Sequence, residues 1–232
     1  RSLVMDPLKP NDGPELVLAL VGAVGTDLKS ISRELEVELR LVGYRSTVIK
    51  LSSTLHAIYP KLADSHSSEF RRIRRHMKAG SRLRKDTNQG GILALLAAAQ
   101  IRDAREALTG DPDVPSKDTV YILDSIKHPD EVLALRDIYG RAFHVLSVYA
   151  DRNTRRTSLA SVIAASRNDS DVKSYEPKAL KLIQIDEYEA HKLGQRIADA
   201  YPLADYFIDG RSSISIKDGA SRFVRLLFDH PY

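Results

Sequence analysis

The sequence predicts an α/β fold, with a parallel sheet of about five strands and helices on both faces. Three observations carry that expectation. Residues 16–21 are continuously apolar, as in a central parallel strand covered on both sides. Short β-rich runs alternate with helical segments along the chain, as βαβ units require. The first run passes through glycines directly into an amphipathic helix, the strand, loop and helix order that cradles phosphate.

Taken in order, residues 16–21 are the first strand. The helix after it shows Leu28, Ile31, Leu35, Leu39 and Val42 on one face, and Gly43 stands at a C′ position. Residues 44–51 alternate as a second strand, and residues 59–68 read as a linker. A basic helix follows, which Gly80 is expected to interrupt, and residues 87–107 form a long helix behind Gly90 and Gly91. Residues 111–118 are a loop rich in Pro and Asp. Residues 119–123 are a third strand, with Asp124 at its end. Pro129 opens a helix to residue 139, residues 142–149 are a fourth strand, and Asp151 opens another helix. Residues 178–200 are largely helical, residues 205–208 are the last strand, and residues 217–228 a final helix. No repeat or low-complexity segment interrupts this order. Residues 1–13 are an N-terminal extension, 14–228 the domain, and 229–232 the start of a linker.

At 232 residues, 43% hydrophobic and 28% charged, the chain can bury a substantial core. It contains no cysteine, which excludes disulfides, thiol catalysis and cysteine-ligated zinc. Its longest apolar run, residues 92–99, is too short to span a bilayer, so no membrane partner and a cytoplasmic location are expected. The net charge of +4 is concentrated. Arg71, Arg72, Arg74, Arg75, Lys78, Arg82, Arg84 and Lys85 follow one another with no acidic residue among them. Such a cluster suits phosphates or a nucleic acid, although the bland alternative is a solvated helix face. Only Phe70 supplies an aromatic ring nearby.

The glycine loop departs from the pattern G-x-x-x-x-G-K-[ST]. Aligned from Gly22, it puts Asp27 where a glycine is usual and Leu28 where the phosphate-binding lysine belongs. A carboxylate there repels a triphosphate. The simpler alternative is a tight strand-to-helix turn.

Four segments stand out: Leu20-Val-Gly22-Ala-Val-Gly25-Thr26-Asp27-Leu28; Asp124-Ser-Ile-Lys-His128-Pro129-Asp130-Glu131-Val132, with Leu135-Arg136 and Tyr139-Gly140; Ile185-Asp186-Glu187-Tyr188-Glu189, with Gly194-Gln195; and Ala204-Asp205-Tyr206-Phe207-Ile208. With them the chain resembles the P-loop nucleotide and dephospho-coenzyme A kinases across nearly its whole length. More specifically, it is similar to the amino-terminal kinase-like domain of the deoxycytidylate deaminase-related proteins of bacterial anti-phage defence. The His-Pro-Asp-Glu-Val segment is the most specific of the four. Leu227-Phe228-Asp229-His230-Pro231-Tyr232 resembles the joint to the family's deaminase domain.

The resemblance implies a P-loop nucleotide-kinase-like domain that regulates an attached zinc deaminase acting on dCTP or dCMP. The deaminating centre is absent from these residues: no histidine begins an H-x-E, and there is no P-C-x-x-C. Zinc therefore belongs to the attached domain, and the chain is expected to be a fragment without catalysis of its own. Gly22, Ala23, Val24, Gly25, Thr26 and Asp27 would line the phosphate site. Asp124 would hold magnesium through water, with the N-cap of the next turn as its plainer role. Arg152, Arg155 and Arg156 would form a lid, or else surface ion pairs. Arg82 and Arg84 would face a second phosphate-bearing group. A nucleotide, the deaminase domain, an inhibitory RNA and further copies of the chain are the expected partners. The alternative is an active nucleotide or small-molecule kinase using ATP and magnesium; the missing lysine counts against it, because phosphoryl transfer depends on stabilising charge.

Overall fold

The computed structural model describes residues 13–64, 68–187, 194 and 196–228. Of the expected N-terminal extension only Gly13 falls among them, and the expected linker at 229–232 lies outside, as do Tyr188, Glu189 and Gln195 of the resembling segments.

All five strands run parallel. β1 (Leu16–Gly22) is buried along its whole length, so it needs a neighbour on each edge and a helix layer on each face. β2 (Arg45–Lys50) and β3 (Thr119–Ile126) lie to one side of it, β4 (Phe143–Tyr149) and β5 (Tyr206–Asp209) to the other. The order is β2-β3-β1-β4-β5, as the parallel α/β expectation requires.

Successive side chains of a strand point to opposite faces, and β1 divides accordingly. Val17, Ala19 and Val21 join one core with Leu55, Leu93 and Val132. Leu16, Leu18 and Leu20 join the other with Ile31, Leu35 and Phe223. The second layer is made by α1 (Leu28–Leu41) and α9 (Ser213–Leu227). The first is made by α2 (Leu51–Ile58), α4 (Ile92–Thr109), α5 (Pro129–Tyr139) and α8 (Ile197–Ala200). A smaller third core holds together α3 (Glu69–Thr87), α6 (Arg152–Ala165) and α7 (Glu176–Glu187).

Four elements differ from the sequence expectation. An unexpected helix, α2, stands just before the expected linker; its buried apolar residues are only Leu51 and Leu55, too few to show a period. Gly80 does not interrupt α3, because it is buried beside Leu93 and Arg84 and its neighbours carry the helix through. β3 continues through Asp124 to Ile126, so Asp124 pairs within the sheet opposite Leu20 and is not a cap. The helix expected over residues 178–200 is not continuous: among the described residues Gly194 and Arg196 are not helical, and α8 is a separate short helix.

The His-Pro-Asp-Glu-Val segment is a helix start. His128 is the N-cap, Pro129 occupies the first turn, and Glu131 closes a capping box by accepting from the His128 N–H at 3.2 Å. Its tight seat explains Gly90: a Cβ there would stand 2.1 Å from Asp130 Oδ2 and 2.5 Å from His128 Cε1.

Candidate functional site

The glycine loop is already supplied with carboxylates from its own chain. Asp27 caps α1, accepting from the Ser30 N–H at 3.0 Å and the Ser30 hydroxyl at 2.6 Å. It therefore holds the helix terminus at which a phosphate would normally sit. Leu28 turns inward at 8% exposure, and its Cδ2 lies where a Cβ on Gly22 would be only 2.8 Å away. At the lysine position the chain thus has a core residue. Gly25 has φ +89°, and a Cβ on it would meet the Arg155 carbonyl at 2.7 Å, so α6 packs directly on the loop. The Thr26 N–H closes a turn onto the Ala23 carbonyl at 3.0 Å.

The Val24 N–H donates to Asp186 Oδ2 at 2.7 Å. Asp186 is 1% exposed and comes from the last turn of α7. Lys127 compensates its charge, with Nζ 3.9 Å from Asp186 Oδ1 and donating to the Gly22 carbonyl at 2.5 Å. A carboxylate held by a loop N–H and a lysine reproduces the partners of a bound phosphate oxygen.

The three arginines at the start of α6 meet α7 in the same way. Arg155 pairs with Glu187 at 2.7 Å and Arg152 approaches the same carboxylate at 3.7 Å, while Arg156 lies 3.4 Å from Glu176. Arg155 is buried and also reaches the Val24 carbonyl at 3.5 Å.

Beside this closed side lies a cavity of about 420 Å³, bounded by the loop, α3 and the ends of β2 and β3. Ala23, Val24, Gly25, Thr26, Asp27, Arg84 and Asp124 line it, joined by Lys50, Lys127, Arg72 and His76. Burial pushes the Asp124 carboxyl above the usual carboxylate range, while the charges of Lys127 and Lys50 pull it back. For magnesium the donor set at Asp124 is thin: the charges of Lys127 and Lys50 act on its carboxyl, and Lys29 follows Leu28 where a hydroxyl residue is usual. It fits a cation only alongside ligand phosphates, and among the described residues no group of three or more His, Asp or Glu is placed to hold a metal.

Arg82 and Arg84 diverge although they lie two residues apart. Arg82 is exposed, pairs with Asp86 at 3.2 Å and rests over the Tyr59 ring, outside the cavity. Arg84 is 1% exposed and pairs at 2.5 Å with Glu131, which is fully buried. Helical positions two apart point in different directions, so the two guanidinium groups part.

Sequence reasoning missed Asp186, Lys127 and Lys50 as parts of this site. His76 and His128 are buried. His76 Nδ1 lies 2.9 Å from the Arg72 carbonyl, an acceptor, so in the neutral ring Nδ1 carries the proton and Nε2 accepts from His56 Nε2 at 3.0 Å. This pair lines a second cavity of about 400 Å³ that shares Lys50, Ser52, Glu69, Arg72 and His76 with the first.

Among the described residues no helix is long and apolar enough to cross a membrane. No protein-family model matches the sequence, and no curated relative matches it. Among solved structures, a gluconokinase from Sinorhizobium meliloti 1021 is similar over 94% of this chain and 98% of its own, with 11% identity and a TM-score of 0.45. A likeness of that size says nothing about which molecule the cavity takes. None of these comparisons links the chain to a deaminase.

Proposed function

We propose that this chain is a binding module for a nucleotide or a related phosphate-bearing small molecule, built on a kinase-like α/β fold but closed to phosphoryl transfer. The observation that carries the reading is Asp186 on the Val24 N–H, next to a cavity that keeps Lys50 and Lys127 for an anion. Three sources of positive potential in this fold are the loop, the helix start and the arginine lid. Here they meet Asp186, Asp27, Glu187 and Glu176. A triphosphate would have to displace these carboxylates, whereas a smaller anion can meet the lysines without doing so. Magnesium enters this proposal only with the ligand's own phosphates.

Calorimetry on the chain with ATP, GTP, dCTP and the nucleoside monophosphates, with and without magnesium, tests the reading. Binding that is lost in Lys50→Ala or Lys127→Ala is the expected result. No heat and no thermal shift with any of them would leave the loop as a plain turn.

Within this proposal, regulation of an attached zinc deaminase rests on the sequence resemblance alone. Its test is ammonia release from dCTP or dCMP by the longer polypeptide, compared with the same polypeptide lacking residues 1–232. Equal activity with and without the nucleotide ligand would remove the regulatory role.

A second reading, a small-molecule kinase, is favoured by Lys127 and Asp124. Lys127 brings an ammonium to the loop from the β3–α5 connection, and Asp124 is a carboxyl of raised pKa suited to accept a proton from an alcohol. Turnover of ATP with transfer to a hydroxyl acceptor would promote this reading over the first.

A further inference from the structure

One end of the cavity contains a buried charged donor without an acceptor. Arg84 Nε and Nη2 both donate to Glu131 Oε1, at 3.2 and 2.5 Å. The other Glu131 oxygen accepts from the Lys127 and His128 N–H groups at 2.7 and 3.2 Å. Arg84 Nη1 is buried and has no hydrogen-bond partner among the described residues. Groups of this kind are costly to leave unmade, and proteins tolerate few of them.

The space beside that nitrogen is kept open by a missing side chain. Gly80 sits in the interior of α3, where glycine weakens a helix, and a Cβ there would stand 3.7 Å from Arg84 Nη1 and 3.6 Å from Leu93 Cδ1. Both distances are ordinary contacts, so packing does not require the glycine. The surrounding walls are apolar: Leu55, Ile73, Met77 and Leu93 line the same cavity.

We propose that this end of the cavity is a nucleobase subsite, in which Arg84 Nη1 donates to an uncharged carbonyl or ring-nitrogen acceptor while the ligand's phosphate stays with Lys50 and Lys127. The acceptor is uncharged because Glu131 already neutralises Arg84, and a second anion would face that buried carboxylate. The ligand is apolar-faced because Leu55, Ile73, Met77 and Leu93 line the cavity that Arg84 lines. This assignment rests on the proposed phosphate-ligand function and replaces the expectation that Arg84 meets a second phosphate-bearing group.

Calorimetry with UMP, CMP, AMP, ribose 5-phosphate and inorganic phosphate, on the unmodified chain and on Gly80→Ala, tests it. At least one monophosphate should bind about tenfold or more tighter than ribose 5-phosphate, the factor expected for a hydrogen bond to a charged donor. Gly80→Ala should keep or raise the Tm, bind ribose 5-phosphate as before, and lose the advantage of the base. A paired Arg84→Met, Glu131→Gln variant, which leaves no unpaired buried charge, should lose it too. Equal binding of monophosphates and ribose 5-phosphate, or undiminished monophosphate binding by Gly80→Ala, overturns the subsite while leaving the phosphate site standing. Binding of none of these probes overturns both and leaves the orphan donor to water.

Discussion

The two sides of the cleft differ in who answers the buried charges. On the loop side, carboxylates of the same chain answer them: Asp186 takes the Val24 N–H, Asp27 the start of α1, and Glu187 the lid arginines. On the α3 side an open cavity remains, with Lys50 and Lys127 on its wall and one nitrogen of Arg84 unanswered. The contrast teaches that one parallel α/β scaffold can answer its buried charges internally on one side of a cleft and leave the other side open. α7 is the element that separates them, since it brings Glu176, Asp186 and Glu187 to the loop side.

The strongest way to break the comparison is at the buried pair. Glu131→Ala strands the Arg84 charge and removes one half of the capping box of α5, and it should cost about 3–5 kcal/mol in urea unfolding. The paired Arg84→Met, Glu131→Gln variant should recover most of that loss, because no isolated charge stays behind. A small cost for Glu131→Ala alone would mean that water reaches the guanidinium.

Next comes the loop side. Asp186→Asn should lower stability by about 1–3 kcal/mol, since the Val24 N–H and Lys127 lose a charged partner. The same variant should bind pyrophosphate or ATP about tenfold more tightly, a change of roughly 1.4 kcal/mol. Restoring the loop with Asp27→Gly and Leu28→Lys should yield triphosphate binding only when Asp186→Asn is also present. Equal binding with Asp186 intact would show that the carboxylate does not close the site.

A smaller effect is expected from pH. Burial raises the Asp124 pKa, so the folded chain holds a proton that the unfolded chain has released. Its contribution to stability is complete below the unfolded carboxylate pKa and is lost as pH rises through the higher folded value. Affinity for an anionic ligand should decline over the same window, as a negative charge appears in the cavity. Asp124→Asn should flatten both profiles, measured by thermal melts and calorimetry across pH.

The smallest effect should come from Arg82→Ala. Its ion pair with Asp86 is exposed, with 72% of the arginine side chain accessible, so stability should change by no more than about 0.5 kcal/mol and ligand affinity not at all. A tenfold loss of affinity would place the ligand on the outer face of α3 and erase the distinction between Arg82 and Arg84.

Much of the frame was legible because its signals are local. An unbroken apolar run marks β1, Gly43 stands at the end of α1, and Pro129 opens α5. Leu28 at the lysine position was equally plain. What was not legible joins distant residues: Val24 meets Asp186 across 162 positions, Gly22 meets Lys127 across 105, and Arg84 meets Glu131 across 47. Gly80 misled because glycine in a helix is a local cost, and that cost is overridden by packing against α4 and Arg84.

The sequence by itself determined the parallel α/β architecture and the leucine at position 28 of the glycine loop, because side-chain periodicity and a residue at a counted position need no partner to be read. Only the tertiary structure decided that the lid arginines are paired, that Asp186 sits on the loop, and that Arg82 and Arg84 part company. The physical reason is that charge in a protein is defined by its neighbours: an arginine or a carboxylate becomes a ligand group, a cap or an internal counter-ion only when folding settles what stands within a few ångströms of it.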